Sequence, residues 1–371
     1  MMKIPCVYMR GGTSKGLFFQ EKDLPEDKFL WPGIFMRAMG TPDIKQIDGM
    51  GGGTSSTSKI AVISPSKRPD ADVDYNFFQV DIVIPNVDNT ANCGNLLAAV
   101  GSFAVEEGLV PAVEPETVVR VFNTNTQKLI EVRVPIENGR LKETGSAKVE
   151  GVPGTAAPIH VQFFEPAGTK TGKLFPTGRR RDLFRVPGYG EEEVTLIDCA
   201  NPVVFVNART LGIRGTELTE LNGDHRVMDH IEAIRGVAAE KLGFVQDWRE
   251  ASFKSTSIPK VGIVSSPQEY KDLGGGINRR EQMDLCVRAV SVGAIHKAIP
   301  LTVAAATCVA AMLKGTVVND VTAAHEDTDQ IRLGHASGVT TVSAQIEGED
   351  RVMRAGMVRT ARRIMDGFVY V

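Results

Sequence analysis

The chain has 371 residues and a net charge of −3, with 42% hydrophobic and 23% charged residues. That is the composition of a globular chain long enough for two domains. It excludes the clustered basic face of a nucleic-acid-binding protein. The five cysteines, Cys6, Cys93, Cys199, Cys286 and Cys308, are scattered and form no CxxC pair. A disulfide framework and a zinc site are therefore excluded, and a reducing compartment is expected. The N-terminal segment lacks the apolar core of a signal peptide. No run reaches the roughly 18 apolar residues of a membrane span. The expectation is a cytoplasmic protein.

The opening segment "IPCVYMRGGTSKGLFF" reads as two strands joined by a glycine-rich turn. Next comes "IDGMGGGTSSTSKIAVI", a glycine and hydroxyl loop running into a strand at Lys59. "ADVDYNFFQVDIVIP" is rich in β-branched and aromatic residues and reads as strand. "NLLAAVGSFAVEEGLV" carries no charge from Leu96 to Val105, and Gly108 is placed to end a helix. The pattern predicts a helix over about 95–107, apolar all round and so buried on every side. Strands follow in "TVVRVFNTN", "LIEVRVPIENGRLKETG" and "PIHVQFFEP", with Asn138-Gly139 as a hairpin turn. The stretch "LFPTGRRRDLFRVPGYGEEE" marks a boundary, and Arg179, Arg180 and Arg181 within it read as a solvated turn.

Beyond it, "VTLIDCANPVVFVNAR" repeats the strand–turn–strand of the opening. In "NGDHRVMDHIEAIRGVAAEKLGF", Met228, Ile231, Ile234, Val237 and Leu242 recur at helical spacing. This predicts an outer amphipathic helix, with His225 and His230 at the surface and no counterpart in the first half. "MDLCVRAVSVGAIHKAI" precedes a second charge-free run, Pro300 to Leu313. Pro300 suits the first turn and Gly315 the stop of a helix over about 300–313, again buried all round. "IRLGHASGVTTVSAQI" then returns to strand. The flanks of the two buried helices correspond, which reads as an internal duplication: two α/β units, each a curved sheet around one helix. A cleft between such units is the expected ligand site.

Four segments offer chemistry. Cys93 in "NCGN" stands at a helix start, where free N–H groups lower a thiol pKa and hold carboxylates. A packed small hydrophobe explains its position equally well. The glycines before Lys59 could present amides to an anion, but no Gly-Lys-Ser/Thr closes the loop and a strand follows it, so a nucleotide site is not supported. A desolvated Lys59 would be a usable base, although a surface lysine ending a loop is the simpler reading of position alone. Arg10 to Gly16 offers a guanidinium, amides and hydroxyls for a carboxylate, or is only a hairpin turn. His296, Lys297 and "GHASG" (His335 to Gly338) lie at matching places in the second half. Each is a candidate carboxylate contact, and a histidine satisfied within a strand turn explains His335 as well.

Taken together, "MRGGTSKG", "QIDGMGGGTSSTSK", "DVDYNFFQV", "NCGNLLAAVG", "GVPGTA", "LFPTG", "NPVVFVNA", "GTEL", "GHASG" and "RTARRIMDG" resemble the methylaconitate isomerase (PrpF) family. That family includes 3-methylitaconate Δ-isomerases and 4-oxalomesaconate tautomerases. The resemblance runs from about Arg10 to Tyr370. It implies the diaminopimelate-epimerase-like fold, with the active site in the cleft between two pseudo-symmetric units. The expected units are residues 1–185 and 186–371, with the final strand a candidate to return to the first. It also implies neither cofactor nor metal, and a homodimer as a family-level expectation. The family's catalytic lysine falls on Lys59 and its catalytic cysteine on Cys93. The matching start of the second helix, "IHKAIP", has no cysteine, and Cys308 lies well inside that helix, so a two-thiol epimerase is not expected. "GHASG" has alanine where proline is common in the family.

The reaction implied is a shift of a carbon–carbon double bond in an unsaturated di- or tricarboxylate by proton transfer, with Lys59 as base and Cys93 as acid or relay. Substrate contacts are expected from Arg10, Thr13, Ser14 and Lys15 in the first turn, and from Gly52, Gly53, Thr54 and Ser58 in the glycine loop. Asn92, Gly94 and Asn95 at the helix start would add others, as would His296, Lys297, His335, Ser337 and Gly338 in the second half. A tautomerase acting on 4-oxalomesaconate is the alternative within the family. A non-catalytic binding protein for a partner dehydratase is the alternative outside it.

Overall fold

The computed structural model describes residues 2–90, 92–323 and 329–371. The chain divides into two compact units, Met1–Phe163 with Val358–Val371, and Phe164–Met357. In the first unit the main strands are β1 (Lys3–Gly11), β2 (Ser14–Gln20), β3 (Lys59–Pro65), β4 (Val73–Val80), β5 (Glu116–Asn123), β6 (Lys128–Glu137) and β7 (Ile159–Phe164). They pair in that order, antiparallel except for the parallel pairs β2–β3 and β4–β5. The last strand of the chain, Ala361–Tyr370, pairs antiparallel with β1 and completes this sheet.

In the second unit the main strands are β8 (Asp182–Val186), β9 (Gly190–Cys199), β10 (Asn201–Asn207), β11 (Lys260–Ser265), β12 (Leu285–Ser291), β13 (Gln330–His335), β14 (Gly338–Glu347) and β15 (Arg351–Arg359), whose last two residues are assigned to the first unit. These also pair in order, antiparallel except for β10–β11 and β12–β13. The two units therefore repeat one strand order with the same directions, and β8 takes the place that the chain's last strand takes in the first unit. The division falls at Phe163/Phe164 rather than at the 185/186 of the sequence reading. Asp198 on β9 explains why: its carboxylate accepts the backbone N–H groups of Lys170 and Thr171, tying that loop to the second sheet.

Each unit holds one central helix, α2 (Gly94–Glu106) in the first and α4 (Leu301–Met312) in the second. Every residue from Gly94 to Ala104, and from Leu301 to Ala311, is buried. A charge-free helix has no face to give to water, so the sheet must curve around it. At the turn after β6, Asn138 and Gly139 both take positive φ, as a two-residue hairpin requires.

A second helix packs outside each sheet: α1 (Trp31–Met39), between β2 and β3, and α3 (His225–Lys241), between β10 and β11. The expectation that α3 has no counterpart is thus corrected, since α1 occupies the matching connection. The short, aromatic-rich α1 hides its role in sequence. Trp31 and Phe35 pack with Phe19 and Phe78. His230 is not a surface histidine. It is buried, stacked on Tyr189 at 3.8 Å and hydrogen-bonded to Glu192, while His225 is exposed. The arginine run is not merely solvated either. Arg180 donates to the Lys314 carbonyl at 2.9 Å and pairs with Asp350, and Arg181 pairs with Glu193 and Asp320. Among the described residues no helix is long and apolar enough to cross a membrane.

The fit around α2 gives a test with an unusual sign. Gly→Ala in an exposed helix gains about 1 kcal/mol. A Cβ at Gly101 would lie 2.5 Å from Val132 Cγ1 and 2.9 Å from Val134 Cγ2. Gly101→Ala is expected to lower stability by about 1–3 kcal/mol through overpacking, read by chemical denaturation. A stabilised variant would mean that the sheet does not close on this helix as described.

Candidate active site

The polar end of the first unit forms where β3 starts and α2 starts. Lys59 is the first residue of β3 and is 8% exposed. Its Nζ donates to Gln79 Oε1 at 2.6 Å and sits 5.0 Å from the centroid of the Phe77 ring. Gln79 faces Lys59 across the β3–β4 ladder. Its Nε2 donates to the carbonyls of Ser58, at 2.9 Å, and Ser55, at 3.1 Å. Those two acceptors fix the amide so that only Oε1 can face the lysine. Burial pushes the Lys59 pKa below the ordinary lysine value, and interaction with Cys93, by charge and by hydrogen bonding, offsets part of that shift.

Cys93 is the N-cap residue of α2, with extended backbone and no side-chain bond capping the helix. The first-turn N–H groups therefore have no capping side chain. The Cys93 thiol is buried and lies 3.8 Å from Ser14 Oγ, and its carbonyl accepts from Tyr75 Oη at 3.4 Å. Burial first, and then the neighbouring Cys93, push the Tyr75 hydroxyl pKa well up, so it stays a donor. Asn92 Oδ1 accepts from Asn123 at 2.9 Å, anchoring the approach to the helix. Gly94 opens α2 and Asn95 follows. Asn95 Nδ2 donates to Thr13 Oγ1 at 3.0 Å, and its Oδ1 accepts from Arg359 Nε at 3.1 Å.

Lys59, Cys93, Ser14, Thr13, Gly94 and Asn95 are thus gathered at one end of α2. Arg10 and Lys15 are not. They are direct neighbours across the β1–β2 ladder and share a face. Lys15 Nζ lies over the Tyr8 ring, 5.6 Å from its centroid, in the cluster covered by α1. Ser14, one residue earlier, points to the opposite face. One nitrogen of Arg10, Nη1, donates to the Gly12 and Thr360 carbonyls and the Thr360 hydroxyl.

The glycine loop is also built differently from an anion cradle. It closes around the buried Gln46, whose Oε1 accepts the Gly53 N–H at 3.0 Å and whose Nε2 donates to Ser58 Oγ at 2.7 Å. The Gly51 N–H goes to the Met39 carbonyl, and Thr54 Oγ1 bonds to Thr57 Oγ1. Of the three glycine amides, only that of Gly52 has no acceptor among the described residues.

In the second unit, Ser337 Oγ donates to the Lys297 carbonyl and joins the β13–β14 turn to the loop that precedes α4. The Ser337 N–H reaches His335 Nδ1 at 3.2 Å, and His296 Nδ1 is engaged with the Ala298 backbone. Tyr270 Oη donates to the carbonyls of His335 and Gly338, both at 2.7 Å. Lys297 is exposed and His335 is buried. Cys308 is fully buried inside α4, and burial pushes its thiol pKa far up. Among the described residues no three His, Cys, Asp or Glu side chains converge as a metal-donor set.

Comparison with known proteins then fixes the family. The family model described as PrpF protein matches residues 1–371. The chain belongs to the PrpF family. This PrpF-family chain is 43% identical to the 3-methylitaconate isomerase of Eubacterium barkeri, covering 100% of this chain and 97% of that one. It is 42% identical to the 2-methyl-aconitate isomerase of Shewanella oneidensis, covering 100% and 97%. It is 38% identical to the 4-oxalomesaconate tautomerase of Pseudomonas putida, covering 100% and 96%. The crystal structure of a methylitaconate-delta-isomerase matches with TM-score 0.84 at 43% identity, over 100% of this chain and 96% of that one. A hydroxyproline epimerase from Agrobacterium vitis matches at 13% identity with TM-score 0.59, over 99% and 92%, a likeness of fold alone. The PrpF-family protein is an isomerase with the diaminopimelate-epimerase-like fold.

Sequence reasoning missed Gln79, Gln46, Tyr75 and Arg359. Strand alternation in "DYNFFQV" puts Gln79 on one face with Tyr75 and Phe77, a signal for the first and third. Gln79 generates a prediction. Gln79→Glu places a negative charge where a neutral oxygen now accepts from Lys59. It is expected to raise the Lys59 pKa by roughly one to three units, read by NMR titration of the labelled lysine side chain. An unchanged titration would show that Gln79 does not set the charge state of Lys59.

Proposed function

We propose that this PrpF-family isomerase moves a carbon–carbon double bond by one position in an unsaturated di- or tricarboxylate. Lys59 serves as general base and Cys93 as acid or relay. The observation that carries the reading is the buried, down-shifted lysine in contact with the thiol at an uncapped helix start. In the neutral form Lys59 keeps one N–H on Gln79 and has a lone pair free for a proton.

Neutral Lys59 takes the proton from the allylic carbon. The C–H electron pair forms the new double bond, and the old π pair moves onward to give a dienolate, with charge on a carboxylate oxygen. The N–H groups at the start of α2 stabilise that oxygen. A proton from Cys93 then ends on the far carbon of the old double bond, and the Lys59 ammonium loses its proton while the Cys93 thiolate regains one, directly or through solvent, which resets the pair. In the reverse direction the two residues exchange roles. Every electron pair stays within the substrate and two protein groups, so the chemistry draws on no cofactor. The names of the relatives support 2-methylaconitate, 3-methylitaconate and 4-oxalomesaconate as the substrates to try first.

The test is turnover of those three and aconitate in heavy water, followed by NMR. The enzyme is expected to transpose one of them and to incorporate solvent deuterium at the carbon that gains hydrogen. No exchange into any of them would overturn the reading and favour a binding protein. Each general acid–base step supplies roughly 10²–10⁴-fold. Lys59→Ala is thus expected to lower kcat by at least the smaller figure with the fold intact by circular dichroism. In the wild type, kcat should rise with pH through a value below the ordinary lysine range, because the working form is the neutral amine and burial favours it. Loss of that limb in Lys59→Ala, and a separate fall in kcat for Cys93→Ala, complete the assignment. Unaltered turnover in Cys93→Ala would confine the thiol to binding.

A further inference from the structure

Three arginines are almost fully buried, and they are satisfied very differently: Arg235, 4% exposed, pairs with Glu232 and donates to the Ser255 carbonyl at 2.6 Å. Arg288, 1% exposed, donates to the carbonyls of Glu217, Val287, Gly334 and Thr216 and lies 4.7 Å from the Tyr270 ring centroid. It is a clamp between backbone segments of the second unit. Arg359, 3% exposed, has only two acceptors, Asn95 Oδ1 at 3.1 Å and the carbonyl of Val358 at 3.1 Å. Its Nη2 has no acceptor, and no carboxylate pairs with it, among the described residues. A buried charge without a counter-charge is costly. Backbone carbonyls meet that cost at Arg288, and at Arg359 a ligand anion could meet it.

The position agrees. Asn95 is the second residue of α2, beside the uncapped amides and two residues from Cys93. Arginine has no acceptor, so the Asn95 atom facing it is Oδ1 and the amide nitrogen must face Thr13, as found. The turn presses on this arrangement. A Cβ on Gly12, which has φ +49°, would lie 2.8 Å from Asn95 Oδ1 and 3.1 Å from Arg359 Cδ. Thr13, Asn95 and Gly12 therefore hold the guanidinium at the helix start. Burial lowers its pKa to about 9, which leaves it charged at neutral pH.

We infer that Arg359 is the counter-charge for a substrate carboxylate, held between its guanidinium and the first-turn amides of α2. This rests on the proposed polycarboxylate chemistry and adds the residue that anchors one carboxylate. The planar fork suits bidentate carboxylate binding, which lysine cannot reproduce.

Arg359→Met and Arg359→Lys in the full chain test it, with tricarballylate as a probe that has three carboxylates and no double bond to move. The free Arg359→Met protein is expected to unfold at the wild-type temperature or above, because it sheds an uncompensated charge. It should also lose the tricarballylate-induced rise in unfolding temperature. Its KM for the substrate found in the panel should increase roughly 10- to 100-fold, with Arg359→Lys only partly restored. A structural arginine predicts the reverse: a destabilised free protein with unchanged KM and an intact ligand-induced rise. That pattern would overturn the inference. Should Arg359→Met fail to fold, Arg359→Lys decides, and a wild-type KM in it overturns the inference. Tricarballylate stabilisation that depends on Arg359, in a wild type that isomerises nothing, would end the proposed function and keep the anion site. Turnover in the wild type with KM indifferent to Arg359 would do the opposite.

Discussion

The helix α2 has no charge along its buried length, and everything at the candidate site depends on that. A helix enclosed on every side can meet polar groups only at its two ends. The C-terminal end is met by Arg363, which pairs with Glu106 and Glu107. The N-terminal end is left with no capping side chain. N–H groups at a helix start with no capping side chain favour negative charge beside them. Cys93, Asn95, Ser14 and Lys59 are the residues that the strand ends bring to that place.

The repeat shows what was added to a common frame. Both units have the same eight-strand order, an outer helix and an enclosed helix. The N-cap of α4 is Pro300, not a cysteine, and the cysteine on α4 is buried in its middle. The second unit has its own lysine at the corresponding strand start: Lys260 opens β11 as Lys59 opens β3. Lys260 is bonded to the Ser257 carbonyl and the Ser291 hydroxyl. One backbone plan therefore carries a thiol beside its lysine in the first unit and hydroxyl and carbonyl partners in the second.

The enclosed helices and the duplicated strand pattern were legible because they are local, whereas Lys59 and Cys93 were singled out by the family resemblance and not by their own positions. A run without charges sets its own burial, and α2 and α4 fall within one residue of the ranges read from sequence. The failures are of register and of distance. Ser14 and Lys15 are adjacent in one motif, yet a strand turns them to opposite faces, so a motif cannot say which of them reaches the site. The glycine loop resembled an anion cradle because its sequence does not reveal that Gln46 fills it. Gln79 lies 20 residues from Lys59, and Arg359 lies 264 residues from Asn95. The second of these is out of reach for any local pattern, since it needs the chain's last residues to return to the first unit.

Lysine and arginine respond differently to the same burial, and this separates their proposed tasks. Burial lowers both, but arginine starts so high that Arg359 keeps its charge at about 9, while Lys59 is moved toward the neutral amine. A polycarboxylate brought next to Lys59 would favour the ammonium and work against a base. Carboxylate charge held at Arg359 and the α2 amides avoids that conflict. The two neutral amides fit this division. Gln79 accepts from Lys59 without adding charge, so the lysine is oriented and still able to lose its proton. Asn95 accepts from Arg359 without neutralising it, so the guanidinium is oriented and still in need of an anion. A carboxylate at either position would orient its cation equally well and remove the charge state that its proposed task requires.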